Sequence, residues 1–157
     1  MATTKSTPVR DSAGILVPLD AAADALLRSA VEAVRQHERV AKLNDRGAHH
    51  TEMQEATELC ELCHRHLRER ADLYEASAAG GKGSQDDAFW HTANTMWHAA
   101  RDYARRHFEC DTSSLKLAKH SSEKFGELAL DYELEASALL VVRNAIAAYK
   151  KIRPDAA

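Results

Sequence analysis

The stretch that decides the fold is Ser122–Ile152, with the sequence SEKFGELALDYELEASALLVVRNAIAAYKKI. It contains no proline and one glycine, Gly126, near its start. Apolar side chains recur in it at steps of three and four residues, which is the period of one helix face. They are Phe125, Leu128, Tyr132, Ala136, Leu139, Val142, Ile146 and Tyr149. A helix of this length spans roughly 45 Å and needs helical partners of similar length to cover its apolar side.

Three further segments with the same apolar period precede this stretch, and short turns separate them. The predicted helices are Asp20–Leu43, with Asp20 as N-cap, then Thr51–Ala78, and a third that begins at Ser84 or Asp86 and carries Phe89, Trp90, Trp97 and Phe108. Turns are predicted at 44–47, 80–84 and 111–114, while 115–120 fits either the start of the fourth helix or a separate short piece. Short connections make neighbouring helices antiparallel. The sequence therefore predicts an all-α fold, an up-down-up-down four-helix bundle.

The length and composition indicate one domain. A chain of 157 residues can bury a sufficient core without disulfides or a structural metal. Residues 1–14 are small and polar without periodicity, so we predict a disordered tail followed by one bundle domain over 15–157. The net charge of −3 gives no basic field, so nucleic acid and membranes are not expected partners. Three cysteines and the lack of a signal-like or membrane-spanning apolar run predict a cytoplasmic protein with reduced thiols.

One motif on the second predicted helix matches a cofactor pattern. Cys60-Glu61-Leu62-Cys63-His64 has the two thiols and following histidine of c-type haem attachment. Such attachment normally takes place outside the cytoplasm, and both cysteines continue the apolar stripe of this helix. We therefore interpret Cys60 and Cys63 as buried, reduced core residues packed beside Leu59 and Leu67. No haem or other cofactor is predicted from the motif.

The nine histidines are numerous for a chain of this length. Reflecting positions about each turn estimates which of them share a level of the bundle. The candidate ligands are His37 and His107 at one level, and His64, His98, Glu127 and Asp131 at a second level. Histidines and carboxylates on facing helices build zinc and di-iron sites in bundles. Zinc or iron is therefore possible at either level, and a metal-binding, ferritin-like bundle is the first alternative function.

The pair His37 and His107 also has a purely structural interpretation, without a metal ion. The di-iron pattern uses Glu-x-x-His on two helices, and no clean pair of such motifs stands out. We expect both rings to be neutral and hydrogen-bonded, since no carboxylate is firmly placed beside them. Added zinc should then leave thermal stability almost unchanged, because only a ligand of the folded state shifts it.

A short segment of the third helix resembles a nuclease signature. Arg101-Asp102 followed by His107 resembles the Arg-x(4–6)-His signature of HEPN domains, which are helical-bundle ribonucleases. The resemblance covers seven residues and implies that Arg101 and His107 act on a phosphodiester. A HEPN-like ribonuclease is the second alternative function.

No other catalytic constellation stands out, since the chain has no Gly-rich phosphate loop, Ser-His-Asp order or nucleophile elbow. We therefore predict a protein that acts by binding or oligomerisation, without catalysis. A homo-oligomer or a protein partner bound through the fourth helix is expected. That helix is longer than the first and is predicted to leave apolar surface at Val142, Ile146 and Tyr149 for the partner.

Overall fold

The structure is a computed structural model that describes residues 18–79, 87–119 and 125–156, with side chains described in 18–78, 87–110 and 129–156. Its elements are α1 (Leu19–Asp45), α2 (His50–Ala79), α3 (Ala88–Lys119), α4 (Phe125–Ile152) and a final 3₁₀ turn (Pro154–Ala156). The described ranges contain no strand, which confirms the predicted all-α four-helix fold. The up-down-up-down order stays a prediction, and the predicted tail 1–14 lies outside the described residues.

The helix starts depend on local signals that the sequence showed only in part. α1 follows Pro18, whose extended backbone offers the first carbonyl acceptor of the helix. Asp20 lies inside the first turn, where a carboxylate also suits the positive end of the helix dipole, so its predicted role as N-cap is wrong. α3 is capped by Asp87, whose carboxylate accepts a backbone N–H two residues on at 2.9 Å. The caps predicted at Ser84 and Asp86 lie outside the described residues.

Of the turns predicted to end α1 and α3, the first is confirmed and the second is wrong. Gly47 has φ +66°, a left-handed conformation that glycine adopts without strain, as expected for the turn predicted at 44–47. α3 continues without a break to Lys119, so the turn predicted at 111–114 is wrong and 115–119 belongs to the third helix. The Asp-Thr-Ser-Ser run there contains no glycine or proline, and cap-type residues alone do not end a helix.

The core is built from one side of each helix. Its largest fully buried side chains are Leu26 and Leu27 of α1, Leu67 and Tyr74 of α2, Met96 and Tyr103 of α3, and Val142 and Tyr149 of α4. Buried alanines such as Ala30 and Ala100 fill the space between them. Each fully buried leucine stabilises the fold by roughly 1.5–3 kcal/mol. Cys60 and Cys63 are buried and unpaired, as predicted, whereas Leu59 is 38% exposed.

The outward side of α4 differs from its prediction. Val142, Ile146 and Tyr149 are buried in the core, so they cannot form the partner surface predicted for them. Among the exposed large apolar side chains of α4 are their neighbours Leu140 and Val141, at 59% and 53%, together with Leu130, Tyr132 and Ile152. The apolar period correctly puts these three side chains of the core, Val142, Ile146 and Tyr149, on one inner face with Leu139. The surface prediction failed because α1 covers this end of α4, where Asp24 bonds Tyr149 and Arg153.

Polar side chains hold this end of α4 against the start of α1. The Tyr149 hydroxyl donates to Asp24 at 2.6 Å, and Arg153 donates to the same carboxylate at 2.5 Å. Partial burial of Asp24 raises its pKa, but these bonds outweigh the burial and lower it. On the α2–α3 side, the Tyr74 hydroxyl donates to Asn94 at 2.8 Å. The two tyrosine rings therefore lie in the core while their hydroxyls reach polar partners at its margin.

Candidate metal centre

A cluster of histidines and carboxylates lies between all four helices. Its members are His37 from α1, Glu61 and His64 from α2, Tyr103 and His107 from α3, and Glu135 from α4. One ring nitrogen from each of the three histidines lies within 4.8 Å of the others. Helical spacing explains the local arrangement, because Glu61 and His64 are three residues apart and Tyr103 and His107 are four apart. Each pair therefore lies on one side of its helix.

His107 lies between two carboxylates. Its Nε2 is 2.8 Å from Oε1 of Glu61, and its Nδ1 is 2.9 Å from Oε2 of Glu135. Burial alone would lower the pKa of His107, but the hydrogen bonds to Glu135 and Glu61 outweigh it and raise the pKa to about 9. The bond from His107 in turn lowers the pKa of Glu61. The ring is therefore a buried imidazolium that donates one N–H hydrogen bond to each carboxylate.

His64 is held as a neutral ring against this cation. Its ring stacks on that of His107, with centroids 3.6 Å apart and planes inclined by 16°. Burial and the nearby charge of His107 lower the pKa of His64 to about 4. A neutral ring fits both of its bonds, since Nδ1–H donates to the carbonyl of Cys60 at 2.7 Å and the Tyr103 hydroxyl donates to Nε2 at 2.8 Å. Both nitrogens of His64 are thus occupied.

His37 completes the group from α1. Its Nε2 lies 3.9 Å from Oε1 of Glu135, and its ring centroid is 6.2 Å from that of His107. Burial lowers the pKa of His37, so this ring is also neutral. Glu135, itself buried, therefore faces two histidines with its two oxygens.

Two thiols border the cluster. The Cys60 sulfur is 3.6 Å from Nδ1 of His64, and Cys110 hydrogen-bonds Glu135. Burial raises the pKa of each of these thiols to about 12. Neither is a thiolate at neutral pH, so neither is an activated nucleophile. Burial of Cys60 and Cys63 likewise leaves no exposed thiol pair for haem attachment.

A cavity of about 470 Å³ opens onto the cluster from the solvent. Its polar floor includes His37, Glu61, His107 and Glu135, and its walls include Val40, Ala41, Met53 and Tyr132. His64 does not line it, because that ring lies behind His107. An ion or a small molecule can therefore reach four of the clustered groups without unfolding of a helix.

The two levels predicted for the histidines prove to be one. His37, His64 and His107 meet, whereas His98 is exposed and its ring contacts Trp97, with centroids 4.4 Å apart. Pairing His64 with His98 reflects the chain about residue 81. The contacts of Tyr74 with Asn94 and of Glu61 with His107 both centre on residue 84. The true centre of the α2–α3 connection thus lies three residues later than predicted. Because a reflection doubles this offset, the position on α3 level with His64 moves six residues, from 98 to 104, which lies close to Tyr103 and His107.

The carboxylates also differ from those predicted. Asp131 is half-buried one turn before Glu135, and the side chain of Glu127 lies outside the described residues. Glu61 and Glu135 are the carboxylates that contact the histidines, in place of the predicted Glu127 and Asp131. The expectation that no carboxylate lies beside His107 is therefore wrong. A usable signal existed in the sequence, since Glu61-Leu62-Cys63-His64 is a Glu-x-x-His motif hidden inside the apparent haem pattern.

The residues of the nuclease signature are not brought together. Arg101 is exposed, lies 4.0 Å from Glu75 and has its guanidinium 5.5 Å from the Trp97 ring centroid. It lines a groove between α2 and α3, whereas His107 faces the cavity at the cluster. Six residues on a helix correspond to a turn of about 240°, which separates the two side chains. Their geometry is not that of one phosphodiester site.

Comparison of the chain with protein-family models, with curated proteins and with solved structures gives no match. Among the described helices, none combines the length and apolar character needed to cross a membrane.

Proposed function

We propose that this chain binds a divalent transition-metal ion, zinc or ferrous iron, within its helical bundle. The ligands are drawn from His37, His64, His107, Glu61 and Glu135. The observation that carries this is the convergence of three imidazole nitrogens within 4.8 Å, with two carboxylates bonded to one of the rings.

The donor set suits such an ion. Neutral imidazole and carboxylate together are typical ligands of zinc and of non-haem iron. With metal–ligand bonds of about 2.0–2.1 Å, two ligand atoms on a tetrahedral ion lie about 3.3 Å apart. The histidine nitrogens, within 4.8 Å of one another, therefore need to close by at most about 1.5 Å. A metal ion bound at one nitrogen of His107 would take the place of that N–H proton, so a cation would still lie beside Glu61 and Glu135. The cavity over His37 and His107 supplies the entry path.

Fold stability alone gives a weak reason for this cluster. Buried ion pairs contribute little net stability, and apolar side chains of similar volume are often as good or better. A bundle that needed only a core could continue the leucine and alanine packing of its other half. The presence of several buried ionisable groups at one level thus supports a binding role.

The test uses the full chain purified without a metal-affinity tag and treated with a chelator. Cobalt(II), a spectroscopic substitute for zinc, should bind at about one ion per chain, give visible absorption bands, and be displaced by zinc. His37→Ala and His107→Ala should each weaken binding at least tenfold, which is the usual effect of losing one ligand or its support. The matched variants His98→Ala and His66→Ala, at exposed histidines, should bind as the wild type does. Absence of stoichiometric binding, or equal loss in all four variants while circular dichroism shows intact helices, would overturn the proposal.

A second function is supported by a different observation on the surface. We propose that the chain self-associates through the α4 outer face, formed by Leu130, Leu140, Val141 and Ile152, all of which are exposed. Large apolar side chains exposed along one helix are a feature of protein interfaces. Sedimentation should show a dimer at micromolar concentration and a monomer for Val141→Lys. A concentration-independent monomer for the wild type would remove this function and leave the metal proposal intact.

We propose that the protein is cytoplasmic. The free, buried cysteines support this location, where thiols stay reduced.

A further inference from the structure

We infer that the occupant of the α4 outer face is a second copy of this chain, packed antiparallel about a two-fold axis that passes near Val141. The inference rests on the proposed self-association and adds its direction and register. It is independent of the metal cluster, because the α4 outer face points away from the core.

The apolar side chains of this face are placed symmetrically. Leu130 lies eleven residues before Val141, and Ile152 lies eleven residues after it. Eleven residues are close to three helical turns, so all three side chains lie on one side of α4. A two-fold axis at Val141 then sets Leu130 of one copy opposite Ile152 of the other, and Val141 opposite itself. The apolar contacts of an antiparallel pair thus match at the centre and at both ends of the segment 130–152.

The charges of α4 favour the same direction. Residues 125–140 contain four acidic side chains and no basic one, whereas 141–152 contain three basic side chains and no acidic one. Arg143 is already paired with Glu38 of α1, and Glu135 belongs to the cluster. Glu133 and Lys151 are exposed and have no ion pair within the described part of the chain. An isologous antiparallel contact brings acidic and basic halves together, whereas a parallel contact brings like charges together.

The distances along the helix permit this pairing. Glu133 precedes Val141 by eight residues and Lys151 follows it by ten, so the two differ by about 3 Å along the axis, within the reach of a lysine side chain. They are also eighteen residues apart, or five turns, which puts both on the same edge of the seam. Between them, Ser137 and Ala148 are small and exposed. Small residues there leave room for Leu140 of the second copy.

Cysteine cross-linking of the full chain tests direction and register together. Val141→Cys should form a disulfide-linked dimer under mild oxidation, since the residue meets its own copy. Leu130→Cys alone should not, but an equimolar mixture of Leu130→Cys and Ile152→Cys chains should cross-link. The wild type is the control, because its three cysteines are buried. Cross-linking of Leu130→Cys with itself would overturn the antiparallel arrangement while leaving self-association standing.

Charge reversal gives an independent measurement. Glu133→Lys should weaken the dimer at least tenfold in sedimentation, and adding Lys151→Glu to the same chain should restore it. A double variant that stays as weak as Glu133→Lys would overturn the pairing. Wild-type protein that is monomeric at every concentration would instead remove self-association itself, so the two failures are distinguishable.

Discussion

The two halves of the bundle bury different chemistry. One half, around Leu26, Leu27 and Tyr149, is filled with apolar side chains, and its tyrosine hydroxyl meets a carboxylate only at the margin. The other half, around His107 and Glu135, places a charged ring and a carboxylate between the same four helices. Both halves are made by continuous helices with the same spacing of inward positions. The difference therefore lies in what the inward positions carry.

This difference distinguishes the residues that stabilise the fold from the residues for which we propose a binding function. The apolar half gains stability from every buried methylene group. In the other half, removing a charged group from water costs several kcal/mol, and the partner only offsets that cost. Stability should thus respond strongly to truncation in the first half and to pH in the second. The cluster is then the part of the core for which we propose a binding function.

The largest effect is expected in the apolar half. Leu26→Ala should lower the free energy of unfolding by about 3–4 kcal/mol, because Leu26 is fully buried and the helices can only partly close the space. Urea denaturation measures this change. Leu62→Ala, at a 39% exposed leucine on α2, is the matched control and should cost less than about 1 kcal/mol. Equal losses in both variants would mean that the apolar half is not the main source of stability.

The next effect concerns the pH dependence of the cluster in the metal-free protein. The folded chain holds the His107 proton with a pKa of about 9, whereas the unfolded chain holds it near 6.5. This contribution to stability is fully present below about pH 6.5 and is lost as pH rises through about 9. At about 1.4 kcal/mol per pKa unit, the loss should be roughly 2–3 kcal/mol.

Urea denaturation at pH 6.5 and pH 9 checks this loss in two matched variants. His107→Asn should remove most of the slope, whereas His98→Asn, at an exposed histidine, should retain it. Thiols of the unfolded chain begin to ionise above about pH 8.5, and the comparison of the two variants cancels their effect. A flat wild-type profile would show that His107 does not hold its proton as the geometry requires.

The apolar half of the bundle could be predicted from the sequence more fully than the cluster. The number and type of the helices followed from apolar spacing, and the burial of Cys60 and Cys63 followed from their place on that stripe. Spacing fixes which residues share a face of one helix, because it depends on local geometry alone. Reflection of positions about the predicted turns, a separate argument, put His37 and His107 at one level, and their ring centroids lie 6.2 Å apart.

The contents of the cluster depend on the register between helices, which spacing does not fix. His64 was paired with His98 because the centre of the α2–α3 connection was placed three residues too early. The turn predicted at 111–114 reflects a similar weakness, since polar residues without glycine or proline continued as helix in α3. The role of Glu61 was hidden by the cysteines that flank it. Tertiary contacts decide such positions, and one sequence does not contain them explicitly.

The smallest effect is expected at the hydrogen bond between Tyr103 of α3 and His64 of α2. Its removal decides whether His64 is a metal ligand. The Tyr103 hydroxyl occupies Nε2 of His64, so a metal can take that lone pair only after the bond breaks. Tyr103→Phe should cost the metal-free protein about 1 kcal/mol, the net value of one hydrogen bond. The same amount should reappear as tighter metal binding, by roughly 2- to 10-fold, since the bond no longer has to be broken. Tyr74→Phe, which loses a bond to Asn94 in the apolar half, should cost a similar amount of stability and leave metal affinity unchanged. Unchanged affinity in Tyr103→Phe would restrict the ligands to His37, His107 and the two carboxylates, and weaker affinity would mean that Tyr103 supports the metal instead of competing with it.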